Sequence, residues 1–307
     1  MHSSFAKGWY AILLTSEVKS KPLAMKRLGV DLVVWRDKED NIVVMHDRCP
    51  HRSAKLSLGK LCNGNISCPF HGFEFDNKGV CQYAPEFNKA IPGLKATTYP
   101  VQVHIDMVWV YFGGSDSLEQ LPTFVVDSLT TMHQKFKGKY SVFTKVWTSH
   151  ITRCIENQLD YTHLPHVHKT TIGRGFKLPT DPQFIKDKLG VKSFQVNEVR
   201  DATTEYIFPN AWILNVSNKM KLLVYFVPIT KHETKLYLLT YQGYVTANIL
   251  KPLVDIAFNY SNRIILQQDQ QVVQSQGTQS SLECKHELLM KHDTAIRLFR
   301  ELWQENL

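Results

Sequence analysis

Cys49-Pro50-His51-Arg52 and Cys68-Pro69-Phe70-His71-Gly72 are the two stretches that decide how this chain is read. Each offers one sulfur and one imidazole at short spacing, and sixteen residues separate His51 from Cys68. Six cysteines spread over 307 residues do not make a disulfide scaffold. Cysteines beside histidines point instead to metal. Structural zinc sites usually pair like ligands with two to four residues between them. Here sulfur and nitrogen alternate, and the first gap is a single residue. Two tight loops, each giving one sulfur and one nitrogen, suit a two-metal centre, with zinc as the alternative. Prolines stiffen the loops, and Gly72 lets the backbone approach closely.

Around these loops the chain reads as short strands: Leu32–Arg36, Ile42–His46, Phe73–Phe75 with Val80–Gln82, and Val108–Phe112. Asp76-Asn77-Lys78-Gly79 supplies a hairpin connection. The run Gly113-Gly114-Ser115-Asp116, followed by Pro122, marks a boundary and divides the chain into 1–118 and 119–307. Beyond it, Ile151, Ile155 and Leu159 share one face of a helix over Ile151–Tyr161, which Pro165 should end. Strands are expected at Glu205–Phe208, Trp212–Val216, Lys221–Pro228 and Lys235–Val245. Helices follow over Val254–Gln276, with Pro252 near its start and Gly277 at its end, and over Asp293–Gln304. The layout is α+β: an all-β N-terminal domain, then an antiparallel sheet covered by helices.

Composition sets outer limits. Hydrophobic content of 43% and charged content of 21% suit an ordinary globular protein. No apolar run approaches the roughly 20 residues of a membrane span, and no secretory leader stands out, so a cytoplasmic location is the default. The net charge of +8 comes from scattered lysines without an arginine-rich motif, which argues against nucleic acid. A basic face could instead receive an acidic electron-transfer partner. The chain lacks a Gly-x-Gly-x-x-Gly fingerprint and a P-loop, so it is not expected to bind a nicotinamide or flavin itself.

The second half holds another donor-rich segment, Asn157-Gln158-Leu159-Asp160-Tyr161-Thr162-His163-Leu164-Pro165-His166-Val167-His168. Two imidazoles and one distant carboxylate make a facial triad that leaves open positions on Fe(II). His163, at a helix end, and His168, past the Pro165 break, could face one ion.

The loop text Cys49-Pro-His-Arg and Cys68-Pro-Phe-His-Gly resembles the Rieske non-haem iron oxygenases, in the branch of the vanillate and dicamba O-demethylases. The resemblance implies a [2Fe–2S] cluster on Cys49, His51, Cys68 and His71. It sets the chain apart from respiratory Rieske proteins, whose extra cysteines correspond here to Ala54 and Phe70. Their serine and tyrosine hydroxyls correspond to Phe73 and Phe75, so a low-potential cluster is expected. Cys62, Cys81, Cys154 and Cys284 are read as ordinary buried thiols.

Asn157, Asp160, His163 and His168 match the family's Asn-x2-Asp-x2-His-x4-His pattern. That pattern assigns His163 and His168 to a mononuclear iron and leaves His166 as an exposed or supporting neighbour. By the same resemblance Asp160 bridges His163 to His71 of an adjacent subunit, and Asn157 lies near the iron. The stretch Ile264–Gln276 resembles the family's Asp-x6-Gln helix and makes Asp269 the carboxylate ligand, with Asp255 as its rival. The implied assembly is a head-to-tail homotrimer. The implied activity is that of a terminal oxygenase. With O2 and electrons from a separate reductase or ferredoxin, it hydroxylates or oxidatively demethylates a largely apolar small molecule. Ring cis-dihydroxylation and a Rieske electron carrier without catalysis are the alternatives. Phe208, Trp212, Leu214, Leu223, Tyr225, Phe226 and Tyr237 are expected in the core, with some lining a substrate cavity.

Overall fold

The computed structural model describes residues 5–113, 120–179, 182–194, 203–245 and 247–307. Backbone contacts divide it into two compact units, one spanning Lys7–Val126 and the other Asp127–Leu307 with the few residues before Lys7. The boundary expected at residue 118 falls, with Gly114-Ser115-Asp116, outside the described residues.

Among its described residues the first unit is built from three antiparallel sheets. Met107–Phe112 is central between Gly8–Leu14 and Val101–His104, and Val30–Arg36 is central between Leu23–Arg27 and Ile42–His46. Five short strands from Lys60–Cys62 to Lys89–Lys95 form a meander. Period-two patterning sets the register: Val33 faces Met45 and Trp35 faces Val43 across neighbouring strands. These four belong to a buried cluster that also contains Cys49, Cys68, Phe73 and Phe75. The two metal-motif cysteines are thereby rooted in the hydrophobic core, where their backbone is least free to move. The Asp76–Gly79 turn closes as expected: Asp76 Oδ1 accepts from Lys78 N at 2.9 Å and Val80 N at 2.8 Å, and Gly79 takes φ +78.

Among its described residues the second unit is a seven-stranded antiparallel sheet with helices. In spatial order its strands are Tyr140–Trp147, Glu233–Gln242, Met220–Thr230, Ala211–Ser217, Thr203–Ile207, Gly190–Phe194 and Gln183–Asp187. The helices are α1 Thr123–Lys135, which begins in the first unit, α2 Ile151–Leu159, α3 Leu164–Val167, α4 Lys251–Ser275 and α5 Thr294–Gln304. One row of cross-strand partners, Phe143, Leu238, Val224, Trp212 and Tyr206, marks a single sheet face. Tyr206 meets Phe299 of α5 edge-on at 5.1 Å.

The α+β layout stands, with local corrections. Helix α1 and the strands Tyr140–Trp147, Gln183–Asp187 and Gly190–Phe194 were not anticipated. Gln183–Asp187 is an edge strand that alternates exposed and half-buried residues, so its sequence carries little apolar signal. Pro165 does not end α2, which stops at Leu159; it lies in the first turn of α3, where a missing N–H costs nothing. Cys62 is only partly buried, whereas Cys81, Cys154 and Cys284 are buried.

Candidate metal centres

The two cysteine–histidine loops are one hairpin folded twice. Cys49 N–H donates to Ala54 O at 2.8 Å and Ser53 N–H to Cys49 O at 2.9 Å. Cys68 N–H donates to Phe73 O at 2.8 Å and Gly72 N–H to Cys68 O at 3.0 Å. The fifth residue of each turn takes positive φ, +61 at Ser53 and +73 at Gly72. Both cysteines are 2% exposed, while His51 and His71 lie at the surface with ring centroids 4.7 Å apart. Burial raises the Cys49 thiol to about 11; N–H groups of His51 and Arg52 oppose the rise and the neighbouring Cys68 adds to it. Two adjacent sulfurs inside, met by backbone N–H donors, with two imidazoles outside, fit a [2Fe–2S] group held by two thiolates and two histidines.

The second set forms where α3 meets α4. Helix α2 is buried almost all round, so its polar residues need partners. Glu156 accepts from Ser281 Oγ at 2.6 Å and pairs with Arg300, and Arg153 pairs with Glu287 at 2.6 Å. His163 and His168 then cap the two ends of α3, a single turn, which turns both rings to the same side. Helix α4 buries Asn262, Leu266, Asp269 and Val273, a stripe at helical spacing that carries Asp269 inward. Asp269 Oδ1 lies 2.9 Å from His168 Nε2 and 3.5 Å from His163 Nε2. One ligand atom from each of His163, His168 and Asp269 falls within 4.8 Å of the others.

Electrostatics favour a cation at this point. Burial alone would raise the Asp269 carboxyl, yet contacts with His163 and His168 bring it down to about 2. Burial would lower His163, yet Asp160 and Asp269 push it up to about 9. Two imidazoles and a carboxylate, nearly excluded from water, fit a single divalent ion with open positions.

A cavity of about 1020 Å³ reaches this set: His163, His168, Asp269 and Asp160 line it together with Trp212, Leu214, Leu222, Val224, Leu238 and Leu266. Trp212, Val224 and Leu238 belong to the cross-strand row already described, so the sheet's patterned face is the cavity wall. Of the aromatic and apolar residues singled out in the sequence, Trp212 and Leu214 line the cavity, whereas Leu223, Tyr225, Phe226 and Tyr237 are wholly buried.

Residues 8–102 match the protein family described as the Rieske [2Fe-2S] domain. This part of the chain is a Rieske domain.

Around and beyond that Rieske domain, similarity continues into oxygenase proteins. The chain is 38% identical over 107 residues to the oxygenase component of dicamba O-demethylase from Stenotrophomonas maltophilia, covering 34% of this chain and 32% of that protein. It is 30% identical over 172 residues to methylxanthine N1-demethylase NdmA from Pseudomonas putida, covering 53% of this chain and 47% of the relative. The aligned part is thus about half or less of the length of these curated relatives. The crystal structure of dicamba monooxygenase bound to dicamba superposes with a TM-score of 0.76 at 19% identity, covering 99% of both chains. The fold of the whole chain is that of dicamba monooxygenase.

The Rieske domain contains all four expected cluster residues, and the second unit brings His163, His168 and Asp269 together. Asp255 does not join them; its carboxylate bonds to Ser141 Oγ and pairs with Lys251 at 2.6 Å. Asp160 stands beside the set: Oδ2 is 3.7 Å from His163 Nδ1, and Oδ1 accepts from Thr162 N and Oγ1 at 2.6 Å. The Asn157 side-chain nitrogen is buried without a hydrogen bond, and His166 is exposed. Gln268 and Thr171, which the sequence reading passed over, contact each other beside His168. Gln268 lies in the polar run Gln267–Gln271, which reads as solvated helix surface.

Proposed function

We propose that this chain is the terminal oxygenase component of a multi-component Rieske non-haem iron monooxygenase. The convergence of His163, His168 and Asp269 at a largely apolar cavity carries the reading, in a chain that also contains a Rieske domain. Cys49, His51, Cys68 and His71 would hold the cluster, and His163, His168 and Asp269 would hold the mononuclear Fe(II). When bound, the two groups supply stored single electrons and a coordination site for O2.

The chain's own residues supply the rest. Trp212, Leu222, Val224 and Leu238 receive an apolar substrate and exclude water from its reactive carbon. Burial of Asp269 and His168 keeps bulk solvent from the donor atoms. Asp160 orients His163, and its second oxygen is held by Thr162. The surface position of His51 and His71 suits transfer across a contact with a second copy, whose Asp160 would meet His71 in a head-to-tail homotrimer. Electrons come from a separate reductase or ferredoxin, and the location is cytoplasmic. Among the described residues no helix is long and apolar enough to cross a membrane.

The relatives' names, an O-demethylase and an N-demethylase, support hydroxylation of a methyl group on a heteroatom, with loss of that carbon, as the reaction type. The test is turnover of methylated aromatics and heterocycles under isotopically labelled O2 with a competent reductase. Label in the hydroxylated product or released aldehyde is expected. Consumption of substrate with no label in any product would reject oxygenation.

A further inference from the structure

The two histidines of the second set are supported in different ways. His163 turns Nδ1 toward a carboxylate, Asp160, at 3.7 Å, and that nitrogen makes no hydrogen bond. His168 turns Nδ1 toward an uncharged amide: Gln268 Oε1 lies 2.8 Å away. The same oxygen accepts from Thr171 Oγ1 at 2.9 Å, and the amide nitrogen donates to Thr170 Oγ1 at 3.4 Å. Gln268 is therefore held at both ends by two consecutive threonines, in the segment that follows His168.

An amide oxygen only accepts, so a ring nitrogen facing it must carry the hydrogen. Nε2 also faces an acceptor, Asp269 Oδ1 at 2.9 Å, and there a bound metal ion would take the place of the hydrogen: with Nδ1–H fixed on Gln268, the neutral imidazole has its lone pair on Nε2 for that ion. Were the amide reversed, its NH2 would face Nδ1 and favour the Nε2–H tautomer, which leaves Nε2 no lone pair for a metal. The pairing also has a simple origin in the chain. Gln268 and Asp269 are consecutive on α4, so one helix turn delivers both the carboxylate and the group that fixes the neighbouring imidazole.

We propose that Gln268 is a positioning residue for His168, selecting its Nδ1–H tautomer and aiming Nε2 at the metal, with Thr170 and Thr171 holding the amide in the required sense. The inference rests on His163, His168 and Asp269 being a metal site. It divides the labour between the imidazoles: the Gln268 side governs how tightly metal is held, and the Asp160 side governs communication with the cluster. Removing such a supporting partner typically lowers metal affinity by roughly 10–100-fold.

The experiment titrates the full chain, cluster retained and mononuclear metal removed, with Co(II) followed by its visible ligand-field bands. Gln268→Leu is expected to weaken Co(II) binding by roughly 10–100-fold, with the cluster's electron paramagnetic resonance signal unchanged. Gln268→Glu, which keeps an acceptor at Nδ1, should recover most of the affinity, and Thr171→Val should fall between. Gln267→Leu, on an exposed neighbour of the same helix, serves as the control and should match the parent. If Gln268→Leu binds Co(II) as the parent does, or if Leu and Glu variants are weakened equally, the tautomer role is overturned. If the parent binds no Co(II), or His168→Ala binds it undiminished, the metal-site reading itself fails. Should Gln268→Leu not fold, the Glu and Thr171→Val variants decide the matter by the same comparison.

Discussion

Arg300 grips Glu156 with two hydrogen bonds, Nε to Oε1 at 2.7 Å and Nη2 to Oε2 at 3.0 Å. Glu156 is 7% exposed and also accepts from Ser281 Oγ, so α5 and the segment before it are tied to the helix that leads into Asp160 and His163. Arg300→Ala would leave a buried carboxylate without its cation. A loss of about 3–5 kcal/mol is expected, measured by urea unfolding of the full chain. Glu156→Gln combined with Arg300→Met should cost less than Arg300→Ala alone, because it leaves no buried charge. A loss below about 1 kcal/mol for Arg300→Ala would show the pair to be solvated.

Glu287 gives this network an acid limit. Burial would raise its carboxyl, but hydrogen bonds and charge from Arg153 and Arg300 outweigh that and hold it below the usual carboxylate range. A carboxyl lowered on folding adds stability above its unfolded value, about 4.3 for Glu, and loses it as pH falls through the lower folded value. Unfolding free energy should therefore decline as the pH drops below about 4.3, and Glu287→Gln should flatten that limb. Parallel limbs in the two proteins would count against the assignment.

The repeated hairpin predicts an asymmetric response in the Rieske domain. Gly72→Ala places a Cβ at φ +73 and 3.0 Å from Pro85 Cγ, a strain of about 1–2 kcal/mol on a cluster loop. Reduced cluster content, read from visible absorbance per chain, is expected. Ser53→Gly relaxes the matching position and should keep the cluster. Full cluster loading in Gly72→Ala would show that the loop tolerates the added atom.

Asp255 and Asp269 separate by iron content. Asp269→Ala is expected to retain about two irons per chain and Asp255→Asn about three, measured by metal analysis after anaerobic reconstitution. Equal loss in both would return Asp255 to candidacy.

For Asp160→Asn, both metal groups should stay bound while oxidation of the reduced cluster in a single turnover with substrate and O2 slows severely. Unchanged single-turnover kinetics would rule out the bridging role.

Much of this was legible in the residues themselves. The cysteine–histidine loops are local motifs, so these four donors stood out from spacing alone, and period-two patterning located most central strands. The edge strand Gln183–Asp187 escaped because it buries too little to need an apolar pattern. Pro165 was misread because the same missing N–H that breaks a helix interior suits a helix start.

What remained was a question of distance in space. Asp255 and Asp269 lie fourteen residues apart, close to four turns of α4, so both fall on one helical face and no periodicity can choose between them. The fold separates them: α3 brings His163 and His168 against the Asp269 end, while Ser141 and Lys251 engage Asp255. Ser53 shows the same division: its sequence gives no sign of a positive φ, and only the hydrogen bonds of the closed loop hold it there. Short-range chemistry wrote the donor motifs into the chain; long-range packing decided which distant carboxylate lies beside them.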